Sequence, residues 1–170
     1  MEKRKSELMT ENPCSVDSCV SFLCEKSKKK GASFAFLGNH ELLKLSSYLG
    51  CRHLEIGEIV WEEGDPCDFM AFVVSGRLKI KKETEFEGKQ AVVGIYGSGA
   101  IAGELCLLDG SPRAISAEAM DPVDLLTLDR MNFEMLIGRE PDLGARLLKG
   151  MLLTVSTRLK QSFSRLTTFF

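Results

Sequence analysis

The sequence lacks the features that direct a chain into or across a membrane. It contains no run of 18 or more apolar residues, and a spanning helix needs a run of about that length. The N-terminus, MEKRKSELMTENP, is charged and has no apolar segment typical of a secretory signal. We therefore expect a cytoplasmic protein whose six cysteines are reduced thiols.

Histidine is scarce, which argues against metal-dependent enzymes with a jelly-roll fold. The chain has two histidines, His40 and His53, and they stand apart from each other. A cupin-type enzyme needs several clustered histidines and a carboxylate to hold its metal, so we expect neither an enzyme nor a metal site. The formal net charge of -2 is also too small for a chain built around a strong field for nucleic acid.

The part of the chain from His53 to Leu128 has the pattern of a β-rich domain. The chain has 170 residues, 44% of them apolar, which is enough for one domain with a core. Short segments rich in Val, Ile and Phe alternate with glycine-containing turns, and this predicts a mainly β fold with flanking helices. The predicted strands are Glu58–Trp61, Phe69–Val74, Arg77–Lys82, Gln90–Tyr96, Ala114–Ala119 and Val123–Leu128.

Helical patterns flank this region and divide the chain into three parts. Residues 1–33 are a polar, lysine-rich leader, poorly ordered or partly helical, and residues 34–138 form the β domain. Within it, Asn39 is predicted to cap a helix that stops at Gly50. Asp129 is predicted to cap a short helix, and Pro141 to lie in the first turn of a long C-terminal helix over residues 139–170.

The last helix carries a seam of residues spaced alternately four and three apart. This heptad spacing predicts packing against another helix, most simply in a homodimer. The alternative is a monomer whose helix folds back as a lid over its own β domain. The seam consists of Leu148, Leu152, Val155, Leu159, Ser162, Leu166 and Phe169.

One segment, GELCLLDGSPRAIS over residues 103–116, indicates an anion site. Gly103 allows close backbone approach, and the turn of helix after it offers free N–H groups. Arg113 can place two guanidinium N–H groups on a phosphate, while the acceptor-only carboxylate of Glu104 suits a sugar hydroxyl. The two side chains together predict a clamp for a sugar phosphate.

This segment resembles the phosphate-binding cassette of cyclic-nucleotide-binding domains, G-E-L-A-L-L…P-R-A-[AST]-[ST]. Upstream, Gly57-Glu58-Ile59 through Gly64-Asp65 resembles the first strands of the same family. The family includes catabolite-activator-like regulators and the regulatory subunit of cAMP-dependent protein kinase. The resemblance implies a double-stranded β-helix, a jelly-roll-like β-roll, followed by a long C-terminal helix.

The same resemblance assigns roles to individual residues. It places Glu104 on the ribose 2′-OH, and Arg113 with the backbone N–H groups of Leu105 and Ala114 on the cyclic phosphate. Gly103 forms the turn, and Ser116 contacts the base or phosphate edge. Ser162 is a candidate contact to the base across the dimer, and Thr154, Ser156 and Thr157, a turn or two earlier in the helix, are its alternatives. The cGMP-selective kinase domains carry Thr where this chain has Ala114, so cAMP is the expected ligand and cGMP the less favoured one.

The predicted function is a cAMP sensor that couples binding to movement of its C-terminal helix. The alternative is a degenerate β-roll that dimerises and binds no nucleotide. Related transcription factors continue into a helix-turn-helix domain; no such pattern occurs here, so DNA binding is not expected. Oxygen-sensing relatives hold an iron–sulfur centre on N-terminal cysteines, but the spacing of Cys14, Cys19 and Cys24 differs, which favours free thiols.

Overall fold

Eight strands form two antiparallel sheets in the computed structural model, which describes residues 14–27, 37–86 and 88–166. One sheet has the strand order β1-β8-β3-β6 and the other β2-β7-β4-β5. This architecture confirms the predicted mainly β fold with flanking helices. The strands are β1 (Gly50–Leu54), β2 (Ile59–Trp61), β3 (Phe69–Ser75), β4 (Arg77–Glu83), β5 (Gln90–Gly97), β6 (Ile101–Ala102), β7 (Ser116–Ala119) and β8 (Val123–Asp129).

Both faces of strand β3 are apolar because each contacts a different hydrophobic core. Its residues Ala71 and Val73 belong to the core between the two sheets. Met70 and Phe72 belong to a second core, in which the helices cover the outer face of the first sheet. The first sheet is therefore buried on both sides, and its central strand shows no alternation of polar and apolar residues.

Five helices surround the sheets, and their ends test the predicted caps. They are α1 (Val16–Ser27), α2 (Asn39–Ser46), α3 (Glu104–Asp109), α4 (Arg130–Arg139) and α5 (Pro141–Leu166). The cap on α4 is confirmed, since the Asp129 carboxylate accepts a hydrogen bond from the Asn132 N–H at 2.7 Å. The long C-terminal helix also begins at Pro141, as predicted.

The predicted cap of α2 is wrong by one residue. Gly38, not Asn39, is the N-cap, and its N–H donates to the Glu41 carboxylate at 2.8 Å. The helix ends at Ser46, before the predicted stop. Gly50 instead begins β1, where it pairs with Thr127 of β8. Gly50 therefore belongs to a strand because of its pairing with β8, although the local sequence pattern predicted the end of a helix there.

Helix α1 lies within the predicted polar leader and packs against the β domain. Its residues Cys19, Val20 and Leu23 are buried in the helix-side core. Of the two alternatives for this region, the partly helical one holds for residues 16–27. Residues 1–13 and 28–36, including most of the lysine run, lie outside the described residues. The division into three parts at residues 33 and 138 stays a prediction.

Four of the cysteines are paired, which corrects the expectation of reduced thiols throughout. The structure contains disulfides between Cys14 and Cys51 and between Cys67 and Cys106, with Cα–Cα separations of 5.9 and 5.8 Å. Both separations lie within the range of protein disulfides. Sequence spacing gave no sign of these pairs because their partners are 37 and 39 residues apart and meet only through tertiary packing.

Helix α5 buries one face in its first half and leaves part of the predicted seam exposed, although Leu148 packs against the helix-side core. Leu143, Leu147 and Met151, four residues apart, are buried. Leu152 and Leu159 of the seam are 69% and 52% exposed. Phe169 lies outside the described residues. Within the described part of the chain, no helix combines the length and apolarity needed to cross a membrane.

Candidate functional site

The predicted phosphate segment forms a tight turn between β6 and α3. Gly103 joins them with a φ of 77°, in the left-handed region that favours glycine. A Cβ atom at this position would lie 2.3 Å from Nη1 of Arg113. Glycine is therefore required twice here, for the backbone conformation and for the close approach of the guanidinium.

The Arg113 guanidinium is buried in an aromatic and carbonyl environment. Only 3% of the residue is exposed. Its Nη2 donates to the carbonyl oxygen of Phe69 at 2.6 Å, and its Nη1 to Sγ of Cys106 at 3.4 Å. The guanidinium carbon lies 3.9 Å from the ring centre of Trp61 and 4.8 Å from that of Phe69. These contacts fix the plane of the group without neutralising its charge.

Arg113 has no ion-pair partner in the part of the chain that the structure describes. No carboxylate forms an ion pair with it among residues 14–27, 37–86 and 88–166, and its buried Nε has no hydrogen-bond partner there. Burial lowers the pKa of Arg113 to about 10, an effect that Asp68 and Asp65 partly oppose. The group is still charged at neutral pH, and burying a charge without a partner is costly. An anion at Nε would relieve both deficits.

Glu104, by contrast, has a cationic partner, which comes from helix α5. The residue is 4% exposed, and its Oε1 accepts a hydrogen bond from Nη1 of Arg158 at 2.7 Å. The same guanidinium donates through Nη2 to the carbonyl oxygen of Ile101. It also lies over the ring of Tyr96, 4.0 Å from its centre. Arg158 therefore ties α5 to the start of α3 and to β5.

Sequence reasoning missed Arg158. The signal that could have found it is its position between Val155 and Leu159, two members of the apolar seam. A charged residue on that part of the helix would be half-buried and would need an acidic partner, which a buried Glu104 supplies.

A cavity of about 660 Å³ lies between β5 and α5. Tyr96, Thr154, Arg158 and Ser162 are among the residues that line it. The hydroxyl of Ser162 donates to the carbonyl oxygen of Arg158 at 3.0 Å. Glu104 and Arg113 are not among the lining residues, and Glu104 is connected to the cavity through its ion pair with Arg158.

The remaining predicted residues differ in how available they are to a ligand. Leu105 and Ala114 are exposed. Ser116 is buried, and its Oγ accepts a hydrogen bond from the Glu63 N–H at 2.9 Å. The structure thus brings Gly103 against Arg113, and it places Ser162 one helical turn beyond Arg158, whose side chain contacts Glu104. It does not bring Glu104 and Arg113 into contact, and their roles toward a ligand stay predictions.

Comparison with known proteins finds one matching family and several similar structures. Residues 51–140 match the profile of the cyclic nucleotide-binding domain. The cAMP-dependent protein kinase regulatory subunit of Emericella nidulans is 35% identical over 99 residues, which cover 58% of this chain. The chain spans less than half the length of the curated relatives that it matches, and 23% of this one.

Two solved structures resemble the fold over most of the chain. A cyclic nucleotide-binding domain from Methylobacillus flagellatus superposes with a TM-score of 0.76 and 26% identity, covering 91% of this chain and 84% of that one. The catabolite activator protein of Thermus thermophilus gives a TM-score of 0.69 and 27% identity, with 82% and 63% of the two chains covered.

Proposed function

The chain belongs to the cyclic nucleotide-binding domain family, and on that premise we propose that it is a cAMP sensor. In this proposal it is a cytoplasmic regulatory module without enzymatic activity. Binding of cAMP changes the position of helix α5, and that change is read by a partner or by another part of a longer protein.

The uncompensated charge of Arg113 is the observation that carries the proposal. A cyclic nucleotide has one negative charge on its phosphodiester ring, which matches the one positive charge of the buried Arg113 guanidinium. The unpartnered Nε gives the phosphate a donor that needs no existing bond to break. A hydrogen bond between charged groups in this buried setting is stronger than one between neutral groups. The N–H groups of Leu105 and Ala114 complete the phosphate contacts in the proposal.

In the proposal Glu104 binds the sugar while it keeps its ion pair. A carboxylate has two oxygens, and Arg158 uses Oε1. In the proposal Oε2 accepts the hydrogen bond of the ribose 2′-OH. Ala114 leaves no hydroxyl beside the base, which favours cAMP over cGMP, and Ser116 contacts the base or phosphate edge.

Arg158 supplies the proposed connection between ligand and helix. It contacts Glu104, Ile101 and Tyr96 at once, so a ligand that changes the environment of Glu104 also changes the anchor of α5. Ser162 lies one turn further along α5 at the cavity. In the proposal its hydroxyl contacts the base when the helix closes over the cavity between α5 and β5.

We also place a homodimer interface on the exposed seam of α5. Leu152 and Leu159, which are separated by one heptad, are exposed together with Phe163. Apolar side chains in this spacing gain stability by packing against a second helix. Sedimentation velocity of the chain should show a dimer, and Leu159→Lys should shift it to the monomer. If the chain is monomeric at all concentrations, the homodimer is rejected in favour of the alternative, a helix that folds back as a lid over its own β domain.

Isothermal titration calorimetry with cAMP, cGMP and 5′-AMP tests the central proposal. We expect saturable one-to-one binding of cAMP, weaker binding of cGMP, and no binding of 5′-AMP, whose open phosphate has a different shape and charge. Bound ligand should also stabilise the fold, by about 2.7 kcal/mol at a concentration 100 times the Kd. If neither cyclic nucleotide gives saturable heat, the proposal is rejected in favour of the alternative, a degenerate β-roll that binds no nucleotide.

A further inference from the structure

Three cysteines, two near the start of α1 and one in β1, form one sulfur cluster. The Sγ atoms of Cys14, Cys19 and Cys51 all lie within 4.8 Å of one another. The Cys14 and Cys19 sulfurs are 3.3 Å apart, and the Cys19 and Cys51 sulfurs 3.6 Å. Cys51 lies 32 residues after Cys19, so tertiary packing rather than sequence spacing brings the third sulfur to the cluster.

The start of helix α1 brings the first two sulfurs together. Ser15 is in the N-cap position, and its Oγ accepts a hydrogen bond from the Ser18 N–H at 3.2 Å. Cys14 is the residue before this N-cap, and Cys19 is the fourth residue of the helix. Side chains at these two positions pack against each other in many helices. Both are nearly buried, at 8% and 5% exposure, so the cluster is largely shielded from water.

We propose that Cys14, Cys19 and Cys51 bind one thiophilic metal ion, with Zn²⁺ as the best match. A tetrahedral zinc site with Zn–S bonds of about 2.3 Å places its sulfurs roughly 3.8 Å apart. The separations that involve Cys19 are within about half an ångström of that value. Three thiolates leave the fourth position for water or a small ligand. Nothing in this site involves Glu104 or Arg113, so it is independent of the nucleotide proposal.

The metal competes with the disulfide between Cys14 and Cys51. In the disulfide these two sulfurs are bonded to each other and are not available as thiolates. A phosphine supplies the two electrons that reduce the disulfide, and one water molecule supplies the two protons of the resulting thiols and the oxygen of the phosphine oxide. The three thiols then each lose a proton as their sulfurs bind the metal. The disulfide and metal-bound forms therefore exclude each other, and both fasten α1 to β1.

Cobalt(II) is a suitable probe because it takes the tetrahedral zinc geometry and absorbs light when thiolates bind it. The full chain is reduced with a phosphine and titrated with Co²⁺ without oxygen. We expect thiolate-to-cobalt charge-transfer bands that saturate at one ion per chain and disappear when Zn²⁺ is added. Cys14→Ser, Cys19→Ser and Cys51→Ser should each remove or strongly weaken the bands. Cys24→Ser, further along the same helix, should leave them unchanged.

A second measurement keeps the test decisive if a variant folds poorly. In the reduced wild-type chain, Zn²⁺ should slow the alkylation of Cys14, Cys19 and Cys51, as read by peptide mass spectrometry, and leave that of Cys24 unchanged. The proposal is overturned if no charge-transfer band forms, if Cys24→Ser removes the band as fully as Cys19→Ser, or if Zn²⁺ leaves all alkylation rates unchanged.

Discussion

Replacing Arg113 with methionine should separate its role in binding from any role in folding. The guanidinium is buried, and no carboxylate among the described residues pairs with it. An apolar side chain of similar volume removes the cost of burying a charge without a partner. We therefore expect the unfolding free energy of the ligand-free Arg113→Met chain to be equal to or higher than that of the wild type.

The affinity of the Arg113→Met chain for cAMP should fall. Loss of a buried charged hydrogen-bond partner costs about 2–4 kcal/mol of binding free energy. At 1.4 kcal/mol per factor of ten, this is a rise in Kd of about 30-fold to 1,000-fold. Calorimetry measures the Kd, and urea denaturation measures the stability of the same protein preparation.

Arg130→Met is the matched control for this experiment. Arg130 donates to the carbonyl oxygen of Cys106 at 3.0 Å, so it contacts the same helix α3, and the proposal gives it no contact with the phosphate. The Kd of the Arg130→Met chain for cAMP should stay within a few-fold of the wild-type value. An Arg113→Met chain that loses several kcal/mol of stability and binds cAMP normally would show that Arg113 is structural, and would refute the reasoning.

Three further changes test the coupling to helix α5, the preference for the base and the pH dependence of stability. Arg158→Met should abolish the cAMP-induced slowing of hydrogen exchange in α5 while leaving binding detectable, and unchanged slowing would disprove the connection through Glu104. Ala114→Thr should raise the affinity for cGMP by about 0.5–1.5 kcal/mol, the net value of one hydrogen bond, as competition calorimetry would show. His53 has its pKa raised by a hydrogen bond to Asp124, so its extra stability is fully present below about pH 6.5 and is lost as pH rises through the folded-state pKa. His53→Gln should remove about 1 kcal/mol or less of stability near pH 6 and little near pH 9, and equal losses at both pH values would contradict this.

Most strands could be predicted from the sequence because turns that contain glycine or proline separate them. All six predicted strands occur, with their ends shifted by two residues or fewer. The two missed strands lack a local signal. β1 contains Gly50, Arg52 and His53, which are not typical strand residues, and β6 has only two residues. Their pairing with β8 and β3 is what makes them strands.

The candidate site could be predicted in part, and the missing part comes from elsewhere in the chain. Gly103 and Arg113 were found because they belong to one continuous motif, and the structure explains their spacing by direct contact. Arg158 is 54 residues from Glu104, and Cys51 is 32 residues from Cys19. Neither pair belongs to a motif, and only the packing of α5 and α1 against the sheets reveals them.

The asymmetry between two buried charges gives the site its proposed behaviour. Glu104 is neutralised by Arg158, whereas Arg113 has no anion to neutralise it among the described residues. A ligand with one negative charge can neutralise Arg113. A hydroxyl on the same ligand can donate to the second oxygen of Glu104 without displacing Arg158. The ligand and helix α5 then share Glu104, so each must influence the other by the same free energy. A change that loosens α5 should therefore alter nucleotide affinity even when it lies far from the phosphate.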